Sequence, residues 1–121
     1  MAKITGLGGI FFKSKDPKKL AAWYSDTLGI AVEAWNGAML SYDTPNHPPF
    51  VVWAPFAADS DYLAPSAREW MVNFAVDDLD AFVAQLKTKG VDVIDRRDDE
   101  TGRFAWIMDP DGTKIELWQP K

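Results

Sequence analysis

The chain has 121 residues, 47% of them hydrophobic and 26% charged, which suits one compact domain with a core of its own. A net charge of −5 argues against a nucleic-acid partner, because gripping phosphates needs clustered Lys and Arg; it suits plain solubility or a cationic ligand. The absence of Cys excludes disulfides, thiolate nucleophiles and Cys-ligated metals.

In chain order, the first structured stretch is "GGIFFKSKDPKKLAAWYSDTLGI", residues 8 to 30. Ile10, Phe12 and Ser14 alternate with Phe11, Lys13 and Lys15, a strand pattern. Asp16 followed by Pro17 reads as a helix start, with a carboxylate to cap the first N–H groups and a proline in the first turn. Leu20, Trp23, Tyr24 and Leu28 recur at three- and four-residue spacing, and Gly29 is placed to end the helix. "GAMLSYD" (37 to 43) and "FVVWAPF" (50 to 56) read as further strands, separated by the proline-rich turn "TPNHPP" (44 to 49). Residues 57 to 69, "AADSDYLAPSARE", are polar and read as a crossover loop.

The plan then repeats. In "WMVNFAVDDLDAFVAQLKTKGV" (70 to 91), Val72, Phe74 and Val76 alternate, Asp78 caps a helix with Leu79, Phe82, Val83 and Leu86 on one face, and Gly90 closes it. Phe12 matches Phe74 and Asp16 matches Asp78 at an offset of 62; Trp53 and Pro55 match Trp118 and Pro120 at an offset of 65. "DRRDDE" (95 to 100) reads as a solvated hairpin tip, "GRFAWIMD" (102 to 109) as a strand opened by glycine, and "DPDG" (109 to 112) as a tight turn. "KIELWQP" (114 to 120) is the last strand. The expectation is one domain, residues 1–121, built from two strand–helix–three-strand modules, about 1–56 and 70–121, joined by a 57–69 linker.

This duplicated βαβββ plan resembles the vicinal oxygen chelate superfamily, which includes glyoxalase I, bleomycin-resistance proteins, fosfomycin-resistance enzymes and extradiol dioxygenases. The marks are "SKDPKKLAAWYSDTLGI", "VDDLDAFVAQLKTKGV" and "DPDGTKIELWQP". The resemblance implies an α+β fold in which two βαβββ modules form one cupped mixed sheet with helices outside. It also implies a small-molecule site in the cup and, in the family's enzymes, a divalent metal that stabilises an enolate-like charge. Carried over position by position, the family's ligand sites fall on Gly9, Val51, Met71 and Glu116. Three of these four cannot hold a hard or borderline cation, so no metal ligands and no cofactor are expected.

What remains is an aromatic-lined cup. Positions in phase with the lost ligands are Gly9, Phe11, Lys13, Val51, Trp53, Met71, Asn73, Ala75, Lys114, Glu116 and Trp118; Phe11, Lys13, Val51, Trp53, Met71, Asn73, Glu116 and Trp118 are the candidate ligand contacts, with Lys13, Asn73 and Glu116 as polar anchors. Glu116, alone among Ile115, Leu117 and Trp118, is either a solvated or salt-bridged strand residue or an acid–base group facing the cup. The single His47 lies in the proline-rich turn and reads as a loop residue; "GLGG" (6 to 9) precedes a strand and is no dinucleotide fingerprint. The leading function is a metal-independent, glyoxalase/bleomycin-resistance-like protein that binds a small molecule. The alternative is a lyase, isomerase or dioxygenase acting through Glu116 or an unexpected divalent metal, so whether the chain is an enzyme stays open. Open sheet edges and the habit of relatives point to a homodimer. With no apolar run near the roughly 18 residues that span a membrane and no signal-like N-terminus, the expected place is the cytoplasm, with neither membrane nor nucleic acid as partner.

Overall fold

The computed structural model describes residues 1–5, 7–42, 44–45 and 47–121. In chain order its elements are helix α1 (Pro17–Leu28), strand β1 (Val72–Ala75), helix α2 (Leu79–Thr88), and strands β2 (Asp95–Asp99), β3 (Gly102–Met108) and β4 (Lys114–Pro120). The four strands form one mixed sheet in the order β1-β4-β3-β2. β1 runs parallel to β4, and the other neighbours are antiparallel. This is an α+β fold, as the resemblance implies. Among the described residues, no helix is long and apolar enough to cross a membrane.

Both helices start and stop where local chemistry dictates. The Asp16 carboxylate accepts the Lys19 backbone N–H at 3.1 Å, and the Asp78 carboxylate accepts that of Ala81 at 3.0 Å. Each thereby satisfies one of the N–H groups that a first helical turn leaves without an internal partner. Gly29 ends α1 at φ 75°, a left-handed conformation that a side chain disfavours.

One face of the sheet carries the core. Ala105, Ile107, Ile115 and Leu117 point to the same side and meet Leu79 and Leu86 of α2, all of them buried. Trp23, Tyr24 and Leu28 of α1 pack against this cluster, so the apolar stripes read for both helices are the buried ones. Each fully buried Leu or Ile contributes about 1.5–3 kcal/mol of hydrophobic stabilisation. Gln119 shares that face and lends its side-chain oxygen to the Leu79 N–H at 2.8 Å, fixing the start of α2 on the end of β4.

The two modules come out unequal. Residues 70–121 follow the expected order throughout, with β2 formed by the charged run that the pattern reads as a hairpin tip. In the first half, α1 forms, but the described residues of 8–15, 37–43 and 50–56 make no strand; Asp43, in the second of these, and the turn residue Asn46 lie outside the described residues, as does Gly6. Alternation states which face a strand would show, not which neighbour would complete its backbone ladder, and among the described residues these segments pair with no strand. Their apolar side chains are accordingly open to solvent, Phe11 at 94% and Trp53 at 77%.

The halves are tied at the turn between β3 and β4. The buried Asp109 carboxylate accepts the backbone N–H groups of Asp111 and Thr113 at 2.9 and 2.8 Å through one oxygen. Its other oxygen accepts the Tyr24 hydroxyl of α1 at 2.7 Å. Burial, reinforced by this bond to a carboxylate, pushes the Tyr24 phenol well above its ordinary pKa. Ser14 donates to the Asp111 carboxylate at 2.6 Å, Ser66 to the Gly112 carbonyl at 2.5 Å, and Arg68 to the Asp111 carbonyl.

Candidate functional site

The face of the sheet away from the helices carries the polar and aromatic residues. Strand alternation and register place Asn73 beside Glu116, Glu116 beside Trp106, and Trp118 beside Phe104. On the far side Arg97 lies opposite Phe104, and Asp95 opposite Trp106. Phe104, Trp106 and Trp118 form a ladder of nearly parallel rings, with interplanar angles of 10° and 11° and centroids 6.0 and 6.4 Å apart. Trp118 is half-buried, while Phe104 and Trp106 are buried.

Glu116 is 8% exposed and accepts three hydrogen bonds. Asn73 donates to Oε1 at 2.7 Å; the Tyr62 hydroxyl and the Trp106 indole N–H donate to Oε2 at 2.5 and 2.9 Å. A buried carboxylate needs such partners, and here two strands and the linker supply them. Loss of water around Tyr62, then its bond to Glu116, pushes that phenol up to about 12. Lys114, also buried, donates to the Tyr62 carbonyl at 2.7 Å and sits over the Tyr62 and Trp106 rings at 5.4 and 5.5 Å. Burial lowers its pKa, against the opposing pull of the Glu116, Asp95 and Asp61 charges. Arg97 covers the other end, its guanidinium 5.3 Å from the Phe104 centroid and 5.4 Å from that of Trp106.

Of the residues expected to share the cup, Asn73, Glu116 and Trp118 do share one face. Met71 lies half-buried just before β1. Phe11, Lys13, Val51 and Trp53 are exposed, on segments that form no strand. The chain reaches the aromatic face instead through Phe50, 6.3 Å from Trp118, and through Phe56, 5.1 Å from Tyr62. Pattern reading missed Tyr62, Trp106 and Arg97. Trp106 was within reach, since a β3–β4 hairpin pairs it with Glu116; Tyr62, in the linker, leaves no periodic signal.

The family resemblance implies a divalent metal, and the residues do not fit one. Gly9, Val51 and Met71 offer no hard ligand atom, and both Glu116 oxygens already face N–H or O–H donors that a cation would have to replace. Among the described residues, no three His, Cys, Asp or Glu side chains cluster closely enough to hold an ion. His47 lies elsewhere, its Nδ1 2.7 Å from the Pro48 carbonyl oxygen, beside a cavity of about 230 Å³ that Thr44, Ala75, Val76 and Phe82 also line. A larger groove, about 410 Å³, runs between the ion-paired Asp80, Arg96 and Arg103 at the sheet edge, with Arg97 on its rim.

Comparison with solved structures places this architecture. TnmS3, an antibiotic-binding protein from Streptomyces sp. CB03234, superposes with a TM-score of 0.55 at 24% identity over 88% of each chain. A member of the glyoxalase/bleomycin resistance protein/dioxygenase superfamily from Sphaerobacter thermophilus gives 0.51 at 20% identity, over 87% of this chain and 89% of that one. A glyoxalase/bleomycin resistance protein from the same Streptomyces strain is 37% identical over a shorter stretch, 40% of this chain and 45% of its own, with a TM-score of 0.37. No curated protein matches the chain significantly. The family model described as a glyoxalase-like domain matches residues 9–118, nearly the whole length, and the chain belongs to that family.

Proposed function

We propose that this glyoxalase-like protein binds a small organic molecule on the aromatic face of its sheet and does so without a metal. The observation that carries the reading is Glu116: the family's metal-ligand position survives as a carboxylate, but Tyr62, Asn73 and Trp106 occupy it with hydrogen bonds, beside a ladder of flat rings. That combination, apolar and aromatic with a few fixed polar groups, is how small-molecule sites are built. The fold shared with an antibiotic-binding protein is in keeping with this use.

The test is a calorimetric screen of planar aromatic compounds and aromatic antibiotics, with and without EDTA. Binding unchanged by the chelator and weakened by about 1–3 kcal/mol in Trp118→Ala, the range for an aromatic anchor, supports the reading. Binding or turnover that appears only with added Zn, Ni, Mn or Fe(II), and vanishes in Glu116→Ala, overturns it in favour of a metalloenzyme.

We further infer a homodimer. β1 and β2 are the edges of the sheet, and Phe11, Val52 and Trp53 are 94, 66 and 77% exposed, an apolar surface that a second copy would cover. A molar mass by light scattering that stays at one chain at high protein concentration overturns this part alone.

A further inference from the structure

The rings of the binding face are covered. Phe104 is 7% exposed and Trp106 3%. Part of that cover comes from the linker and not from the sheet. Tyr62 sets its ring edge-on to Trp106, centroids 6.1 Å apart, and beside Phe56 at 5.1 Å. Its hydroxyl donates to Glu116 Oε2 at 2.5 Å, and its carbonyl accepts from Lys114 Nζ at 2.7 Å. Lys114 and Arg97 fill in around it, 5.5 and 5.4 Å from the Trp106 ring, and the Arg97 charge bears on the Tyr62 phenol as well. A molecule that reached Trp106 and Glu116 would need the room that Tyr62 takes.

The stretch that carries Tyr62 is a strap with few attachments. Residues 51–61 are exposed throughout. Beyond Tyr62 the strap is anchored on the β3–β4 turn, where Ser66 donates to the Gly112 carbonyl at 2.5 Å and Arg68 to the Asp111 carbonyl at 3.2 Å. Leu63, Ala64 and Pro65 separate Tyr62 from that anchor. Phe104 and Trp106 belong to β3 and stay with the core, so the strap can lift at Tyr62 and leave the turn and the sheet in place. Lifting has one chemical consequence. Glu116 keeps the Asn73 amide on Oε1 and the Trp106 indole on Oε2, but Oε2 loses a donor within a buried, ring-walled site. A carboxylate oxygen short of a partner there is costly, and an incoming hydroxyl would restore the bond.

Resting on the small-molecule reading above, we propose that Tyr62 is a built-in lid that fills the binding site with its own phenol, and that the ligand which displaces it is a flat ring bearing a hydroxyl, donated to Glu116 Oε2 in its stead. Tyr62 already shows the arrangement such a ligand would take: ring edge against Trp106, hydroxyl on the carboxylate. The lid and the ligand compete for one place. The observed affinity is then the intrinsic affinity reduced by the fraction of molecules with the lid open, and whatever loosens Tyr62 tightens binding.

The probes are 6-hydroxyquinoline and 6-methoxyquinoline, the same ring with its hydroxyl free or capped, titrated near neutral pH into the full chain carrying 13C-labelled tyrosine rings. The Tyr62 ring signal, assigned by its loss in Tyr62→Phe, should move as 6-hydroxyquinoline binds, in step with the calorimetric curve, while that of Tyr24, on the helix side of the sheet, stays. Tyr62→Phe keeps the ring and loses the bond to Glu116; it should bind 6-hydroxyquinoline more tightly than the parent, and Tyr62→Ala more tightly still, by about tenfold or more. The methoxy probe should bind each protein about tenfold more weakly than the hydroxy one. Should the Ala variant prove too unstable to titrate, the Phe variant decides. Binding to the parent that leaves the Tyr62 signal unmoved, or affinity that is equal or weaker in the Tyr62 variants, overturns the lid and leaves aromatic binding standing. Equal affinity for the two probes refutes the hydroxyl and with it the proposal. If neither probe binds while another aromatic compound of the screen does, the proposal alone is refuted; if no aromatic compound binds the parent or either variant, the binding face falls with it.

Discussion

Replacing Glu116 with Leu or with Gln should have very different consequences, and the difference follows from where its three donors sit. Leu removes every acceptor. The Trp106 indole N–H, on a residue 3% exposed, then has no water to turn to. A buried donor left unpaired costs about 1–3 kcal/mol. The half-buried Tyr62 hydroxyl can reach solvent and loses about 1 kcal/mol, and exposed Asn73 loses little. The total is about 2–4 kcal/mol. Gln keeps one carbonyl oxygen, which can serve Trp106 and Tyr62 together, while its NH2 faces Asn73, whose amide can turn to present its own oxygen. The expected cost is about 1 kcal/mol or less. Guanidinium unfolding followed by tryptophan fluorescence measures both, with m unchanged if the two states keep their compactness. For a chain of this length the Leu variant should also melt roughly 8–16 °C lower. Equal losses for Leu and Gln, or a Leu variant as stable as the parent, would refute the three-donor account of this carboxylate.

Other outcomes follow from the same geometry. The Tyr62 phenol is raised from 10 to about 12, so its contribution is complete below pH 10 and is lost as pH climbs through 12; stability should fall across that window, and Tyr62→Phe should flatten the fall. Phenolate absorbance at 295 nm would check the assignment, with the Phe variant lacking a transition near pH 12. Asp109→Ala removes the acceptor for two backbone N–H groups and the Tyr24 hydroxyl, and should lower unfolding free energy by about 2–4 kcal/mol in the same denaturant assay. Gly102→Ala would set a methyl carbon 2.4 Å from the Trp118 indole nitrogen and 2.6 Å from the Gln119 carbonyl oxygen, at a φ of 149°. A loss of about 1–3 kcal/mol, with altered tryptophan emission from Trp118, is expected, and an unchanged spectrum would argue against this close approach.

What could be read in advance was what neighbouring residues decide. Helix caps at Asp16 and Asp78, apolar stripes from Leu20 to Leu28 and from Leu79 to Leu86, and the tight turn at Gly112 all depend on residues a few positions apart, and all are present. Alternation along β4 likewise put Ile115 and Leu117 in the core and Glu116 on the opposite face. The strands expected at 8–15 and 50–56 need hydrogen-bond partners that a local pattern cannot name. Arg97 shows the same limit. Within "DRRDDE" it looks like one solvated charge among several, and only the register with β3 brings it over Phe104 and Trp106. Tyr62 lies beyond such reasoning, because a loop side chain acquires its partner from the path of the whole chain.

The clasp at the β3–β4 turn bears on how the molecule assembles. Its bonds join residues far apart along the chain: Ser14 to Asp111 spans 97 positions, Tyr24 to Asp109 spans 85, and Ser66 to Gly112 spans 46. Closing loops of that length forfeits chain entropy before any contact rewards it, so such bonds form late. The β3–β4 hairpin joins strands a few residues apart and α2 lies in the same half, so a nucleus in residues 70–121 would organise first. The first helix then docks onto a preformed anchor. Tyr24→Phe, which removes only the bond spanning 85 positions, should therefore unfold faster while folding at nearly the parent rate, placing this contact on the native side of the folding barrier.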